Sequence, residues 1–165
     1  MKSLCCAGIV AFLLLKTVCA WSEEFSTNFF SIEIPKGMKA DEQKEDSISL
    51  IFSGDDHLQK GTISMSAKAG TDQWLEIKPT LTAGKSLLFE KTENSPTMTW
   101  RTIGVRGKVG PFESDSVVYY GVYKGVTYML HYHCQQGRCS EIAAEFHNVL
   151  ASFKPEPNTP QEPSR

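Results

Sequence analysis

The sequence predicts an α+β protein: an antiparallel sheet of about six strands with helices on both faces, a three-layer α/β/α sandwich. Segments in which apolar and polar residues alternate follow one another through hairpin-length connections, as antiparallel strands do. Residues 116–123 and 126–133 are apolar on both faces. A strand that is apolar on both faces is covered on both faces, which requires a helix on each side of the sheet.

The first twenty residues have the pattern of a secretory signal peptide. Lys2 gives a positive start, residues 5–15 form an apolar run, and residues 18–20 form a small-residue cleavage site. A bilayer-spanning helix needs about twenty apolar residues, more than this run provides. We therefore expect an exported protein without a membrane-inserted segment, located in the periplasm or, alternatively, secreted to the outside.

Three strands are predicted in the first part of the mature chain. Apolar and polar residues alternate over 30–34, 48–52 and 62–67, which gives each strand one buried face. The acidic stretch 41–46 between the first two is expected to be an irregular connection, and residues 54–57 have turn chemistry. These strands would form an antiparallel meander.

A helical segment is predicted from Thr71 or Asp72, either of which can cap it, to about Glu90. Pro79 would divide this segment into two helices or kink a single one. Strand character returns over 97–106.

Two strong strands follow, over 116–123 and 126–133, joined by the tight turn Lys124-Gly125. Ser140 can then cap a final helix with one apolar stripe, formed by Ile142, Phe146, Val149, Leu150 and Phe153. The chain is thus expected to contain a signal peptide over 1–20, one domain over 21–154, and a disordered proline-rich tail over 155–165.

Charge and cysteine usage restrict the class of protein. The net charge is −2 at pH 7, and removal of Lys2 and Lys16 with the signal peptide makes it more negative, which disfavours nucleic acid as a partner. Only Cys134 and Cys139 remain in the mature chain, and an even pair in an exported protein predicts one disulfide.

Potential metal ligands gather at one place in the sequence. His131 and His133 are two residues apart on a strand and share a face, with Cys134 beyond them. A zinc site would need a fourth ligand from elsewhere, so the disulfide is favoured and no cofactor is expected. His57 in an acidic turn and His147 in the final helix are interpreted as a solvated turn residue and a flank of the apolar stripe.

No catalytic motif is present, since G-x-S-x-G, H-E-x-x-H and phosphate-binding glycine loops are all missing. We therefore predict that the protein is not an enzyme. The candidate interface residues are Asp55 and Asp56 in a turn, and Trp100 with Arg101 in a strand. Trp100 is the aromatic residue least expected to be wholly buried.

The sequence resembles the PsbP-like fold family, which includes PsbP and exported bacterial proteins of the DcrB type. The resemblance rests on Phe-Ser-Ile-Glu-Ile-Pro-Lys-Gly at 30–37, where Met38 replaces the family's usual Trp, on Tyr-Tyr-Gly-Val at 119–122, and on Val-Leu-Ala-Ser-Phe-Lys at 149–154. It implies the fold and a binding role without catalysis, and it assigns no site residue.

The sequence therefore predicts a small exported module that binds a protein partner through its sheet edge or loops. An alternative within that class is an immunity protein that neutralises a toxin delivered into the periplasm by a type VI or contact-dependent system. A metal-dependent or hydrolytic enzyme built around His131 and His133 is the alternative from another class.

Overall fold

The computed structural model describes residues 23–53 and 60–156. The predicted signal peptide, the candidate interface residues Asp55 and Asp56, the turn residue His57, and residues 157–165 of the predicted tail lie outside the described residues.

Two antiparallel sheets and two helices make up the described chain. The small sheet contains β1 (Glu23–Ser26), β2 (Phe30–Ile34) and β10 (Lys154–Pro155), in the order β1-β2-β10. The large sheet contains β3 (Met38–Gln43), β4 (Ser47–Phe52), β5 (Thr62–Ala69), β6 (Ser86–Asn94), β7 (Thr99–Val109), β8 (Phe112–Tyr123) and β9 (Val126–Gln135). Its order is β3-β4-β5-β9-β8-β7-β6. The helices are α1 (Trp74–Thr82) and α2 (Cys139–Ser152). This architecture confirms the α+β class with mostly antiparallel sheets.

Parts of two segments that were predicted to be irregular or helical are strands of the large sheet. The first half of the acidic stretch expected to be irregular, residues 41–43, lies in β3, which pairs with β4 through a bulge between Ala40 and Glu42. The last five residues of the predicted helical segment, 86–90, lie in β6, because α1 ends at Thr82 and residues 86–94 pair with β7. The main sheet therefore has seven strands where about six were expected. In both cases a neighbouring strand supplies hydrogen bonds that outweigh the local pattern.

The first predicted strand does not belong to the meander. It is β2, with Phe30, Ser31, Ile32 and Ile34 all buried, and it pairs with β1 and β10. The start of the predicted tail belongs to the same small sheet, since the Glu156 backbone N–H donates to the Phe29 carbonyl at 2.7 Å. Residues 155 and 156 of the predicted tail therefore contact the small sheet.

Alternate residues of β8 enter two different apolar clusters. Val117 and Tyr119 belong to the larger cluster, which includes buried side chains of α2. Val118 and Tyr120 belong to the smaller cluster, where Trp74 is the one buried residue that α1 contributes. Side chains of β8 therefore cluster with buried residues of α2 on one face and with Trp74 of α1 on the other.

The turn between β8 and β9 follows the prediction. Lys124 and Gly125 both have positive φ, at 48° and 74°. Two consecutive residues in that conformation form the type of turn whose twist matches that of the flanking strands. Within the described ranges, neither helix has the length and apolar character needed to cross a membrane.

Candidate functional site

Most of the exposed large apolar side chains lie at one end of the main sheet. In the described residues the exposed large apolar side chains are Leu75, Leu87, Leu88, Phe89, Val109 and Phe112. All but Leu75 lie on β6 or at the end of the neighbouring β7–β8 hairpin. We call Leu87, Leu88, Phe89, Val109 and Phe112 the apolar edge.

Among the described residues, β6 is the edge strand of the main sheet and pairs with β7 on one side only. Its residues are exposed except Glu93, which is intermediate. The register shifts between Leu87 and Phe89, so the chain is bulged at Leu88. The strand is apolar over 87–89 and carries the charged residues of the sequence Glu-Lys-Thr-Glu over 90–93.

Gly104 leaves room for the Phe89 ring of the apolar edge. Phe89 lies opposite Gly104 of β7, and a Cβ at Gly104 would overlap the Phe89 ring. The Lys91 ammonium lies 5.6 Å from the ring centroid, within the range of a cation–π contact. The ring is thus held on the sheet while 39% of the residue remains exposed.

A cavity adjoins the hairpin end of the apolar edge. It has a volume of about 580 Å³ and is lined by Val109 and Phe112 together with residues that flank the disulfide, including Cys134 and Arg138. Cys134 and Cys139 are bonded to each other, with their Cα atoms 5.2 Å apart. The bond joins the end of β9 to the start of α2, as the sequence predicts, and removes Cys134 from any set of metal ligands.

The expectation that Trp100 is not wholly buried is wrong. Its exposed fraction is 2%, and its ring packs edge-on against Tyr119 and Phe153, with centroids 6.2 and 5.5 Å away. Gly121 lies opposite it and leaves room for the indole, because a Cβ there would be 3.0 Å from the ring. Trp100 therefore serves the core and is not available to a partner.

Arg101, its neighbour in the candidate interface, points to the other face of the strand. Its guanidinium lies 2.7 Å from the Oδ2 atom of Asp72. The Oδ1 atom of Asp72 accepts a hydrogen bond from the Trp74 backbone N–H. That N–H and the guanidinium hold the pKa of Asp72 below its ordinary value. The Tyr120 hydroxyl accepts a hydrogen bond from the Gln73 N–H at 2.7 Å. Arg101 thus helps to fasten the start of α1 to the sheet.

The two candidate metal ligands are neighbours on β9. The rings of His131 and His133 are near-parallel, with centroids 5.9 Å apart. Burial, followed by the nearby His133 and Lys85, lowers the pKa of His131 to about 4. Burial also lowers the pKa of His133, whose Nδ1 lies 2.8 Å from the Thr62 hydroxyl. Both rings are therefore neutral at pH 7.

The described ranges contain no group of three or more His, Cys, Asp and Glu side chains placed to hold a metal. The contact between Thr62 and His133 has the distance of a nucleophile–base pair, which also requires a third group to orient the base. In the described part of the chain, the Thr62 hydroxyl is the polar partner of His133. The absence of enzymatic activity stays a prediction.

The fold is PsbP-like. The solution structure of cyanobacterial PsbP (CyanoP) from Synechocystis sp. PCC 6803 superposes with a TM-score of 0.57 and 12% identity, over 92% of this chain and 98% of that one. This likeness confirms the fold inferred from residues 30–37, 119–122 and 149–154.

A crystal structure from Bacteroides thetaiotaomicron superposes with a TM-score of 0.59 and 16% identity, over 86% of this chain. The match covers 50% of that structure, so this chain spans about half its length. No family model and no curated protein sequence matches the chain. At these identities the likeness to solved structures establishes the fold alone.

Proposed function

We propose that this chain is a non-enzymatic binding module that docks a protein partner along the apolar edge. One observation carries the proposal: the exposed large apolar side chains of β6 adjoin a strand edge whose backbone has a partner on one side only. Such an edge offers unpaired N–H and C=O groups to an added strand, and side chains along it supply specificity.

The apolar and the charged half of β6 have different proposed roles. Soluble proteins protect exposed strand edges with charges and bulges, and β6 has charged residues over 90–93 and a bulge at Leu88. Leu87 and Phe89 remain exposed by 54% and 39% in the other half. We infer that a partner segment pairs with the apolar half, while the charged half prevents indiscriminate pairing between copies.

The proposed location is the periplasm. Its support is the signal-peptide pattern of residues 1–20 and the pairing of Cys134 with Cys139, since disulfides persist in oxidising compartments. A toxin delivered into the periplasm is a partner compatible with this location, in which case the chain would act as its immunity protein.

The test uses the chain from residue 21 onward, immobilised and exposed to periplasmic extract and to extract from cells that express the neighbouring genes. Retained proteins are identified by mass spectrometry and their stoichiometry is measured. The informative variant is Leu87→Lys with Leu88→Lys, and the control is Leu75→Lys. Leu75 is 85% exposed on α1, outside the apolar edge.

We expect one protein to be retained stoichiometrically by the wild type and by the Leu75 variant, and to be lost from the double variant. Enzymatic inhibition of that protein would assign the immunity role. Equal retention by all three proteins would contradict docking along the apolar edge, and retention of nothing by the wild type would contradict the binding class.

A further inference from the structure

One face of β9 carries three soft or borderline metal donors in a row. Met129, His131 and His133 are spaced by two residues, so their side chains emerge on the same face of the strand. Opposite them on β5 lie Ser66, Ser64 and Thr62, which are short. We call Met129, His131 and His133 the histidine face.

The histidine face is only partly covered. Helix α1 packs through Trp74 on side chains of β7 and β8, and Met129 packs at the border of that cluster. Beyond the border lies a cavity of about 150 Å³ whose lining includes Met129, His131, Ser64 and Ser66. This cavity therefore gives a small ion access to Met129 and His131, while His133 lines the cavity that also contains Val109 and Phe112.

Both imidazoles are mainly in the neutral form, which is the form that binds metals. Neutral rings have a nitrogen lone pair, and both rings are neutral at pH 7 because burial lowers their pKa values. With its proton on Nδ1, His133 donates to the Thr62 oxygen and leaves Nε2 free. A hydrogen bond from the non-ligating nitrogen is the usual way in which a protein orients a ligating histidine.

The donor set selects the metal. Structural zinc requires four ligands, and the described residues offer no group of three His, Cys, Asp or Glu. Copper(I) accepts fewer ligands, and the Met129 thioether is a soft donor of the kind that selects it. Lys85 acts on His131 and the acidic residue Glu42 also lines the cavity, so the Met129 thioether, and not the local charge, is what favours copper(I).

We propose that His131 and His133 bind one copper(I) ion, with Met129 as the adjacent thioether donor. An ion held by two imidazoles lies about 2 Å from each ligating nitrogen. With centroids 5.9 Å apart, the near-parallel rings must rotate toward each other about their side-chain torsions to share one ion. The residues varied to test this site differ from those varied to test the apolar edge, so either proposal can fail without the other.

Binding is measured with the chain from residue 21 onward, in competition with the chromophoric copper(I) chelator bicinchoninate. The solution is anaerobic and contains ascorbate, so that copper stays reduced while the disulfide stays intact. Unfolding midpoints and circular dichroism verify that each variant is folded. The control is His147→Gln, because His147 is an exposed residue of α2.

We expect the wild type to withdraw one copper(I) per chain from the chelator. His131→Gln and His133→Gln should each raise the Kd by about 100-fold or more, and Met129→Leu by about tenfold, while His147→Gln leaves it unchanged. X-ray absorption of the wild-type complex should show nitrogen and sulfur scatterers, with sulfur lost in the Met129 variant.

The absorption spectra test the site even where a histidine variant does not fold. Failure of the wild type to withdraw copper(I) would overturn the proposal, as would an equal loss of affinity in the His147 variant. A complex without sulfur scattering would remove Met129 from the site. Displacement of the bound copper by equimolar zinc would overturn the choice of metal.

Discussion

Breaking the disulfide between Cys134 and Cys139 should lower the free energy of unfolding by about 2 kcal/mol. The bond closes a loop with a sequence separation of five residues. In chain-entropy terms, a loop of this length costs the unfolded state about 7 cal/mol/K, which at 25 °C corresponds to about 2 kcal/mol. The effect is modest because the loop is short.

Urea unfolding of the oxidised and the reduced protein measures this difference. At an m-value of about 2 kcal/mol/M, the reduced protein should reach its midpoint about 1 M earlier. Cys139→Ala provides a second estimate, because it breaks the bond and leaves the fully buried Cys134 in place. Its midpoint should agree with that of the reduced wild type.

A reduced protein that fails to fold at all would refute the reasoning, because the core formed by β8, β9 and α2 would then depend on the bond. An unchanged midpoint would refute it as well, since the unfolded chain would gain nothing from the open loop. A decrease confined to about 2 kcal/mol would show that the bond restrains the link between β9 and α2 without holding the domain together.

Three further predictions concern stability. In protein freed of metal by a chelator, the free energy of unfolding should fall between pH 7 and pH 4.5 by about 2.5 kcal/mol less in His131→Gln than in the wild type. The unfolded chain takes up a proton near pH 6.5 and the folded His131 only near pH 4, so acid favours unfolding; an identical pH dependence of both proteins in urea titrations would contradict this. Phe146→Ala, at a fully buried position, should cost about 4 kcal/mol, against less than about 0.5 kcal/mol for the exposed Phe112→Ala, as measured by chemical denaturation. Gly61→Ala should cost about 3 kcal/mol in thermal unfolding, because φ is 107° and the new Cβ would overlap the His133 carbonyl; Gly137→Ala, with open space around it, should cost less, and equal losses would contradict the overlap.

The parts of the fold that sequence patterns predicted are those in which burial alone decides the structure. Strands β5, β8 and β9 and helix α2 have buried faces that follow the periods of two and 3.6 residues. Strands β3 and β6 are mostly exposed, so their patterns contain little information about burial. Their structure comes from pairing with β4 and β7, which the residue patterns of β3 and β6 themselves do not show.

The candidate site was harder to predict for the same reason. Leu87 and Phe89 have the composition of a buried helix face, and only the position of β6 at the sheet edge exposes them. Trp100 showed the reverse error, because its burial depends on Gly121 opposite it and on Phe153 from the far end of the chain. The position of His131 beside His133 could be predicted from the sequence, because residues two apart on a strand share a face.

The small sheet joins the two ends of the domain, and this has a consequence for how the chain matures. Strand β2 receives one of its neighbours from Lys154–Pro155, and the Ser31 hydroxyl donates to Glu156 across 125 residues. This sheet is therefore complete only after residues 154–156 have left the ribosome. Contacts that are so distant in sequence form late. The export proposed above would be served by that delay, because the small sheet cannot close before Lys154 and Pro155 are available to pair with β2.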